Sequence, residues 1–282
     1  MSQSIFTVHK YYIPFEEYGV PIYFIPVGDI HWGAVNHHSE KFTEFCEWGF
    51  KKQRAYYLGM GDYTDAVSHT EKQNLRLAKL HDTTVDALER WWKRDINDFL
   101  AKTKFMRGRT IGVLEGNHYV LFEDGTSSTQ IIANRLGTRY LGGASLIRLI
   151  LRSEGQHDSG TVDIFAAHGR RAAKLLGASI NQVVDLERIA KADVYCLAHD
   201  HKKSIAMATT LGLKGDRRAV RSVPYKKVYV RTGGFQGSYI PDSKDYCANN
   251  LLRPNDIGVI KIELTPKRTR GIGFHIDIHA SL

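Results

Sequence analysis

Short apolar runs, each closed by a polar cluster, recur along the chain. Ile22-Tyr23-Phe24-Ile25-Pro26-Val27 runs into Gly28-Asp29-Ile30-His31, and Ala55-Tyr56-Tyr57-Leu58 into Gly59-Met60-Gly61-Asp62. Thr110 to Leu114 leads to Glu115-Gly116-Asn117-His118, Val162 to Ala167 leads to His168-Gly169, and Val194 to Ala198 leads to His199-Asp200-His201. Unbroken runs this short predict buried strands whose carboxyl ends deliver polar side chains. Helical periodicity lies between them. Glu40 to Arg54 is one predicted helix. Thr83 to Lys104 is the most regular, with Val85, Leu88, Trp92, Ile96 and Phe99 on one face, Thr83 as its cap and Asp86 three residues on. Thr129 to Leu136 stops at Gly137, and Gln182 to Ala190 is a further helix. Near the end the period changes to two. Val228-Tyr229-Val230 reads as a strand. Ile260, Ile262 and Leu264 alternate with Lys261 and Glu263, and Phe274, Ile276 and Ile278 with His275, Asp277 and His279. This predicts a hairpin with one wet face, joined by Pro266 to Gly271. A mixed α/β fold is expected.

The 282 residues carry 39 Lys plus Arg against 30 Asp plus Glu, a formal charge of +9, with 43% hydrophobic and 24% charged residues. Such proportions are those of a globular chain and exclude an acidic disordered segment, a coiled coil or a collagen repeat. The length accommodates one large domain or two small ones. No apolar run approaches the roughly 20 residues of a membrane helix. The start shows no basic head and apolar stretch of a secretory signal. Cys46, Cys196 and Cys247 are far apart and form no CxxC pair. Neither a disulfide framework nor a zinc knuckle is expected, and a cytoplasmic setting without membrane follows. The charge is uneven. From Lys202 to Arg231 nine basic residues face only Asp216, a local +8. A run of this kind is often a solvated face. Because it follows a histidine cluster directly, it is expected to lie close to that cluster and to attract an anionic substrate.

Five of the predicted strand ends carry Asp29, His31, Asp62, Asn117, His118, His168, His199 and His201. Any one of these alone is as well explained by a turn cap or a buried histidine with a backbone partner. Together they form a carboxylate, amide and imidazole set suited to borderline divalent ions: Mn, Fe, Zn, Ni or Co. Thiolates are absent, which argues against a structural zinc site. The donors exceed what one ion needs, and two ions sharing a carboxylate would use them.

These clusters fall in an order that resembles the calcineurin-like metallophosphoesterases. Asp-x-His is Asp29-Ile30-His31, Gly-Asp-x-x-Asp is Gly61-Asp62-Tyr63-Thr64-Asp65, and Gly-Asn-His is Gly116-Asn117-His118. The lone His is His168, and Gly-His-x-His is matched by Ala198-His199-Asp200-His201. The resemblance implies an α/β four-layer αββα sandwich, with two packed mixed sheets flanked by helices. It implies a single domain over 1–282, with a helical insertion at about 70–106 and a basic β-rich portion at about 202–282. It implies two divalent ions, Mn first among them. Asp29, His31 and His201 would hold one, Asn117, His168 and His199 the other, and Asp62 would bridge. A hydroxide between the ions would attack phosphorus. His118 would protonate the leaving oxygen as general acid, and Asp65 would orient His118.

Departures from the family pattern narrow the substrate. Tyr119 follows Gly-Asn-His where many relatives carry an acid, and Ala66 follows Asp65 where phosphoprotein phosphatases carry Arg. Asp65 stands where purple acid phosphatases place a Tyr ligand. The expectation is a phosphodiesterase acting on nucleotide or nucleic-acid diesters. The alternatives are a phosphomonoesterase on a small substrate, and a non-catalytic scaffold that binds nucleic acid or a partner. Arg170, Arg171 and Tyr119 are candidate substrate-binding residues. Trp32, Asn36, His37 and Tyr63 adjoin the motifs and are further candidates for the pocket wall. The loop Gly233 to Tyr239 is a candidate contact with substrate.

Overall fold

The computed structural model describes residues 6–65, 81–155, 157–215, 219–241, 246–271 and 273–282. Two sheets pack face to face. The first has the order β1(Val8–Phe15), β5(Ala144–Ser153), β6(Ser159–Ala167), β7(Val194–Leu197), β9(Val220–Gly234), β10(Gly258–Val259), with β8(Lys203–Gly215) paired to β9 off this path. The second has the order β12(Gly273–Ser281), β11(Lys261–Thr269), β2(Ile22–Val27), β3(Ala55–Gly59), β4(Thr110–Val113). Both are mixed: β2, β3 and β4 run parallel while β11 and β12 run antiparallel, and β6, β7 and β9 run parallel while β5 and β8 oppose them.

The main core lies between the sheets. Ile13, Leu149, Ile164, Val194 and Val230 of the first meet Phe24, Leu58, Ile111, Ile262 and Ile278 of the second. The outer face of the second sheet is covered by three helices, α1(Ser39–Lys51), α2(Asp82–Lys102) and α3(Ser128–Leu136), through Phe42, Phe45, Trp92, Ile96, Phe99 and Ile132. The first sheet is covered by α4(Leu176–Val184), whose Val183 packs with Phe165, Tyr195 and Tyr229. The layers are therefore helix, sheet, sheet, helix, a four-layer αββα sandwich. No helix among the described residues is long and apolar enough to cross a membrane. Cys46, Cys196 and Cys247 are free and buried.

Local chemistry sets the helix ends. Ser127 caps α3 in a reciprocal capping box with Gln130, and Gly137 closes it in the left-handed conformation at φ 69°. The stripe on α2 buries Trp92, Ile96 and Phe99 as its spacing predicts, but its N-cap is His81, with no side-chain hydrogen bond, rather than Thr83. Part of the expected insertion, 70–80, lies outside the described residues.

Three expectations are corrected. The helix placed at Gln182 to Ala190 begins earlier, at Leu176, and gives way to a tight 3-10 turn at Asp185–Arg188. No capping residue marks that start, since Leu175 occupies the N-cap. Pro266 is not in the hairpin connection: β11 runs through it, paired with Ile276. Its missing N–H is harmless there, because β2 pairs with β11 only at Ile262 to Leu264.

The basic stretch does not lie beside the histidines as a block. Lys202 and Arg231 are buried at 6% and 1% exposure. Lys227 pairs with Glu187. Lys214, Arg221 and Lys226 lie farther along the β8–β9 ribbon, and Arg217 and Arg218 lie outside the described residues. In register, Leu197 pairs with Arg231 and Val194 with Val228, so residues of β9 before Val228 extend past the end of β7 opposite to His199. Lys214, paired with Arg221, is eleven residues along β8 from Lys203, about 36 Å at strand rise.

Candidate metal centre

Because β2, β3 and β4 run parallel, Asp29, Asp62 and Asn117 leave the second sheet at one edge. Because β6 and β7 run parallel, His168 and His199 leave the first sheet at one edge. Packing the two sheets brings these ends together. The hydrogen bond from His199 N–H to Asp29 Oδ2, 2.8 Å long, joins the two edges.

Ligand-bearing side chains gather in three groups whose donor atoms lie within 4.8 Å of one another: Asp29, His31 and His201; Asp62, His168 and His199; and His31, Asp65 and His118. Asp62 stands between the first two, its Oδ2 being 3.8 Å from His31 Nε2 and 3.2 Å from His168 Nε2. Asn117 Oδ1 is 3.0 Å from His168 Nε2. His201 Nε2 lies 3.8 Å from Asp29 Oδ1. Asp65 Oδ1 is 3.0 Å from the Nδ1 of both His31 and His118. All seven expected ligands, with His118 and Asp65, thus occupy one place.

The backbone marks the same residues. Among the described residues seven other than glycine have positive φ, and five of them are Asp29 (47°), His31 (49°), Asp62 (52°), His199 (77°) and His201 (55°). Each left-handed residue costs about 1–3 kcal/mol and persists only where surroundings over-determine it. Glycines make the room. A Cβ on Gly116 would stand 1.9 Å from Asp62 Oδ1.

Hydrogen bonds orient the rings. His168 Nδ1 is 2.8 Å from the Met60 carbonyl, which fixes the ring with its Nε2 toward Asp62 and Asn117. His31 Nδ1 engages Asp65 and leaves Nε2 toward Asp62. Asp29 Oδ1, His31 Nε2 and His199 Nδ1 are buried without a hydrogen-bond partner. Buried polar atoms seldom stay unpaired, and a divalent cation satisfies this donor set.

The electrostatics follow from burial. Desolvation pushes the Asp29 carboxyl up to about 6. Burial raises Asp62 as well, but the flanking imidazoles, His168 foremost, outweigh it and hold the carboxyl well below the carboxylate range. Burial alone would lower His168, yet the Asp62 carboxylate prevails and pushes the imidazole up to about 9. Desolvation lowers His199 to about 4 and His201 well below its ordinary value, so both stay neutral and able to donate lone pairs.

A cavity of about 580 Å³ opens over the cluster. Arg170 lines it; Arg171 and Tyr119 do not. Of the other residues beside the motifs only Asn36 lines it. Tyr63 is buried and donates its hydroxyl to the Leu114 carbonyl at 2.9 Å, and Trp32 packs against His37. In the Gly233 to Tyr239 loop, Gln236 and Gly237 reach the cavity, whereas Phe235 is core. Leu252, Arg253 and Asn255 form a wall that the sequence reading missed. They sit in a stretch with no periodicity, and only Asn255 is tied to the cluster, 3.5 Å from His201 Nδ1.

No family model and no curated protein matches the chain. Among solved structures, Vps29 of Chaetomium thermophilum aligns over 92% of this chain and 97% of its own, at 10% identity and a TM-score of 0.37. The same protein complexed with the RaPID-derived cyclic peptide RT-D3 aligns over 93% and 96%, at 11% identity and a TM-score of 0.34. Likeness at these scores carries nothing further.

Proposed function

We propose that the protein is a divalent-metal-dependent phosphoester hydrolase, and that its substrate is a phosphodiester. The observation that carries this reading is the set of partnerless buried acceptors, Asp29 Oδ1, His31 Nε2 and His199 Nδ1, gathered around Asp62 under an open cavity. The ordered likeness of these residues to the calcineurin-like metallophosphoesterases supports it. Asp29, His31 and His201 would hold one ion, Asn117, His168 and His199 a second, and Asp62 would be shared. Two such ions, when bound, supply charge for the phosphoryl oxygens and an acidified water.

The remaining work falls to the chain itself. His118 is partly exposed and lines the cavity, with its Nδ1 held 3.0 Å from Asp65 Oδ1. Its ring can therefore deliver a proton to a departing alkoxide, with the Asp65 carboxylate beside its other nitrogen. Arg170 and Arg253 offer cationic groups to non-bridging oxygens. The cavity wall extends beyond the cluster to Asn36, Gln236 and Leu252, giving room for a second substituent on the phosphoryl group. That supports a diester over a monoester. The basic ribbon gives no such support, since it leads away.

The test is turnover of a chromogenic phosphodiester and of its monoester by protein reconstituted with Mn²⁺. Faster diester turnover is expected. Faster monoester turnover overturns the substrate class, and inactivity toward both with Mn, Fe, Zn, Ni or Co overturns the hydrolase.

A further inference from the structure

The turn from Ala198 to Lys202 carries two left-handed histidines, and the side chain of the residue between them, Asp200, meets Ser179 and Arg231. Asp200 is buried, accepts from Ser179 Oγ, and accepts from Lys202 N–H at 3.3 Å. Two cations flank it: Arg231 Nε and Lys202 Nζ each lie 3.6 Å from Asp200 Oδ2. Arg231 is 1% exposed. Its Nη1 donates to the Ala198 carbonyl at 2.8 Å, its Nε to the Ser179 carbonyl at 3.1 Å, and its Nη2 to Gln182 Oε1. The Ala198 carbonyl and the His199 N–H belong to one peptide unit, and that N–H donates to Asp29 Oδ2 at 2.8 Å. A single peptide plane is thus held between a guanidinium and a carboxylate.

Buried ion pairs rarely stabilise a fold more than well-packed apolar groups would, so stability alone does not account for three charges under this turn. Geometry does. We propose that Arg231, anchored by Asp200, is a positioning residue for the metal centre. Acting through the Ala198–His199 peptide, it fixes which oxygen of Asp29 faces the cluster and holds the turn that presents His199 and His201. This inference rests on the metal-centre reading above. With Oδ2 engaged by the peptide, Oδ1 remains partnerless inside the cluster, as a cation requires. The clamp reaches Asp29 and His201 of one group and His199 of the other, so its loss weakens both metal positions.

The test is titration of Mn²⁺ into metal-stripped protein, followed by calorimetry and by the electron-spin resonance of free Mn²⁺, well below the unfolding temperature. Arg231→Met is expected to bind Mn²⁺ about 10–100-fold more weakly, the range seen when a group that orients a ligand is removed. Arg231→Lys, which can still donate to the Ala198 carbonyl, should recover part of the loss. A merely structural Arg231 would lower the unfolding temperature of the metal-free protein and leave the affinity of the folded protein unchanged. If Arg231→Met does not fold, Ser179→Ala decides. That change removes only the hydroxyl donated to Asp200, and it should weaken Mn²⁺ binding at the low end of that range, about tenfold. Wild-type affinity in a folded Arg231→Met variant, or in Ser179→Ala where the first does not fold, overturns the positioning role alone. Absence of Mn²⁺ binding by the wild type overturns the metal centre, and this inference with it.

Discussion

Asp65 Oδ1 stands 3.0 Å from His118 Nδ1, and His118 is a partly exposed imidazole that lines the cavity. A ring held this way keeps its Nε2 free to meet substrate. His118→Ala should leave the bound metal intact and slow hydrolysis by about 10²–10⁴-fold, most for poor leaving groups. The check is a leaving-group series with metal analysis of each sample. An unchanged rate on an alkyl leaving group removes His118 from the proton transfer.

Asp62 shares its oxygens among His168, His31 and the His118 N–H, which it accepts at 2.8 Å. Asp62→Ala should therefore lose both ions together. Elemental analysis that returns two ions per chain contradicts its place between them.

Gly116 tests the same carboxylate without altering a donor. Its added Cβ would fall 1.9 Å from Asp62 Oδ1, so Gly116→Ala must displace that side chain. Metal affinity should drop by at least about tenfold, the effect of disturbing a ligand's surroundings. Unaltered Mn²⁺ binding by calorimetry would show that Asp62 is not needed where it stands.

His168 gives a pH dependence to the metal-free protein. Asp62 pushes its imidazole above the ordinary value, to about 9, so its contribution favours the folded state in the protonated form. That contribution is complete below about 6.5 and is lost as pH rises through about 9. The unfolding temperature of stripped protein should fall over this window, and His168→Gln should flatten the fall. A temperature that rises across the window in the wild type contradicts the sign.

Ser127 serves as the control remote from the chemistry. Ser127→Ala removes the hydroxyl that accepts from the Gln130 N–H, leaves the backbone bond from Ser127 N–H to Gln130 Oε1, and should cost about 1 kcal/mol by denaturant unfolding. Mn²⁺ affinity should not change.

Much of this was legible in the chain because the signals were local. A buried strand must be an apolar run, and a strand end must be polar, so Val27 followed by Asp29 and Leu197 followed by His199 gave away both the sheets and the cluster. The stripe from Leu88 to Phe99 was legible for the same reason. What stayed hidden depends on register and direction. Nothing in Lys203 to Gly215 states that it pairs with β9 and runs away from the histidines, and the charge excess was therefore set beside them. Asp200 reads only as the spacer between His199 and His201, and Arg231 only as part of the basic run, because a buried ion pair between residues 31 apart has no sequence period. β1 escaped notice because Lys10 and Pro14 interrupt it, an interruption that an edge strand tolerates.

The placement of Lys214 and Arg221 has a consequence for how a charged molecule first meets this protein. The cationic ribbon and the imidazoles mark opposite poles of the first sheet, so long-range attraction turns the wrong end toward an incoming polyanion. Shortening the ribbon would then reset the salt sensitivity of encounter and leave untouched the events that follow at the far pole.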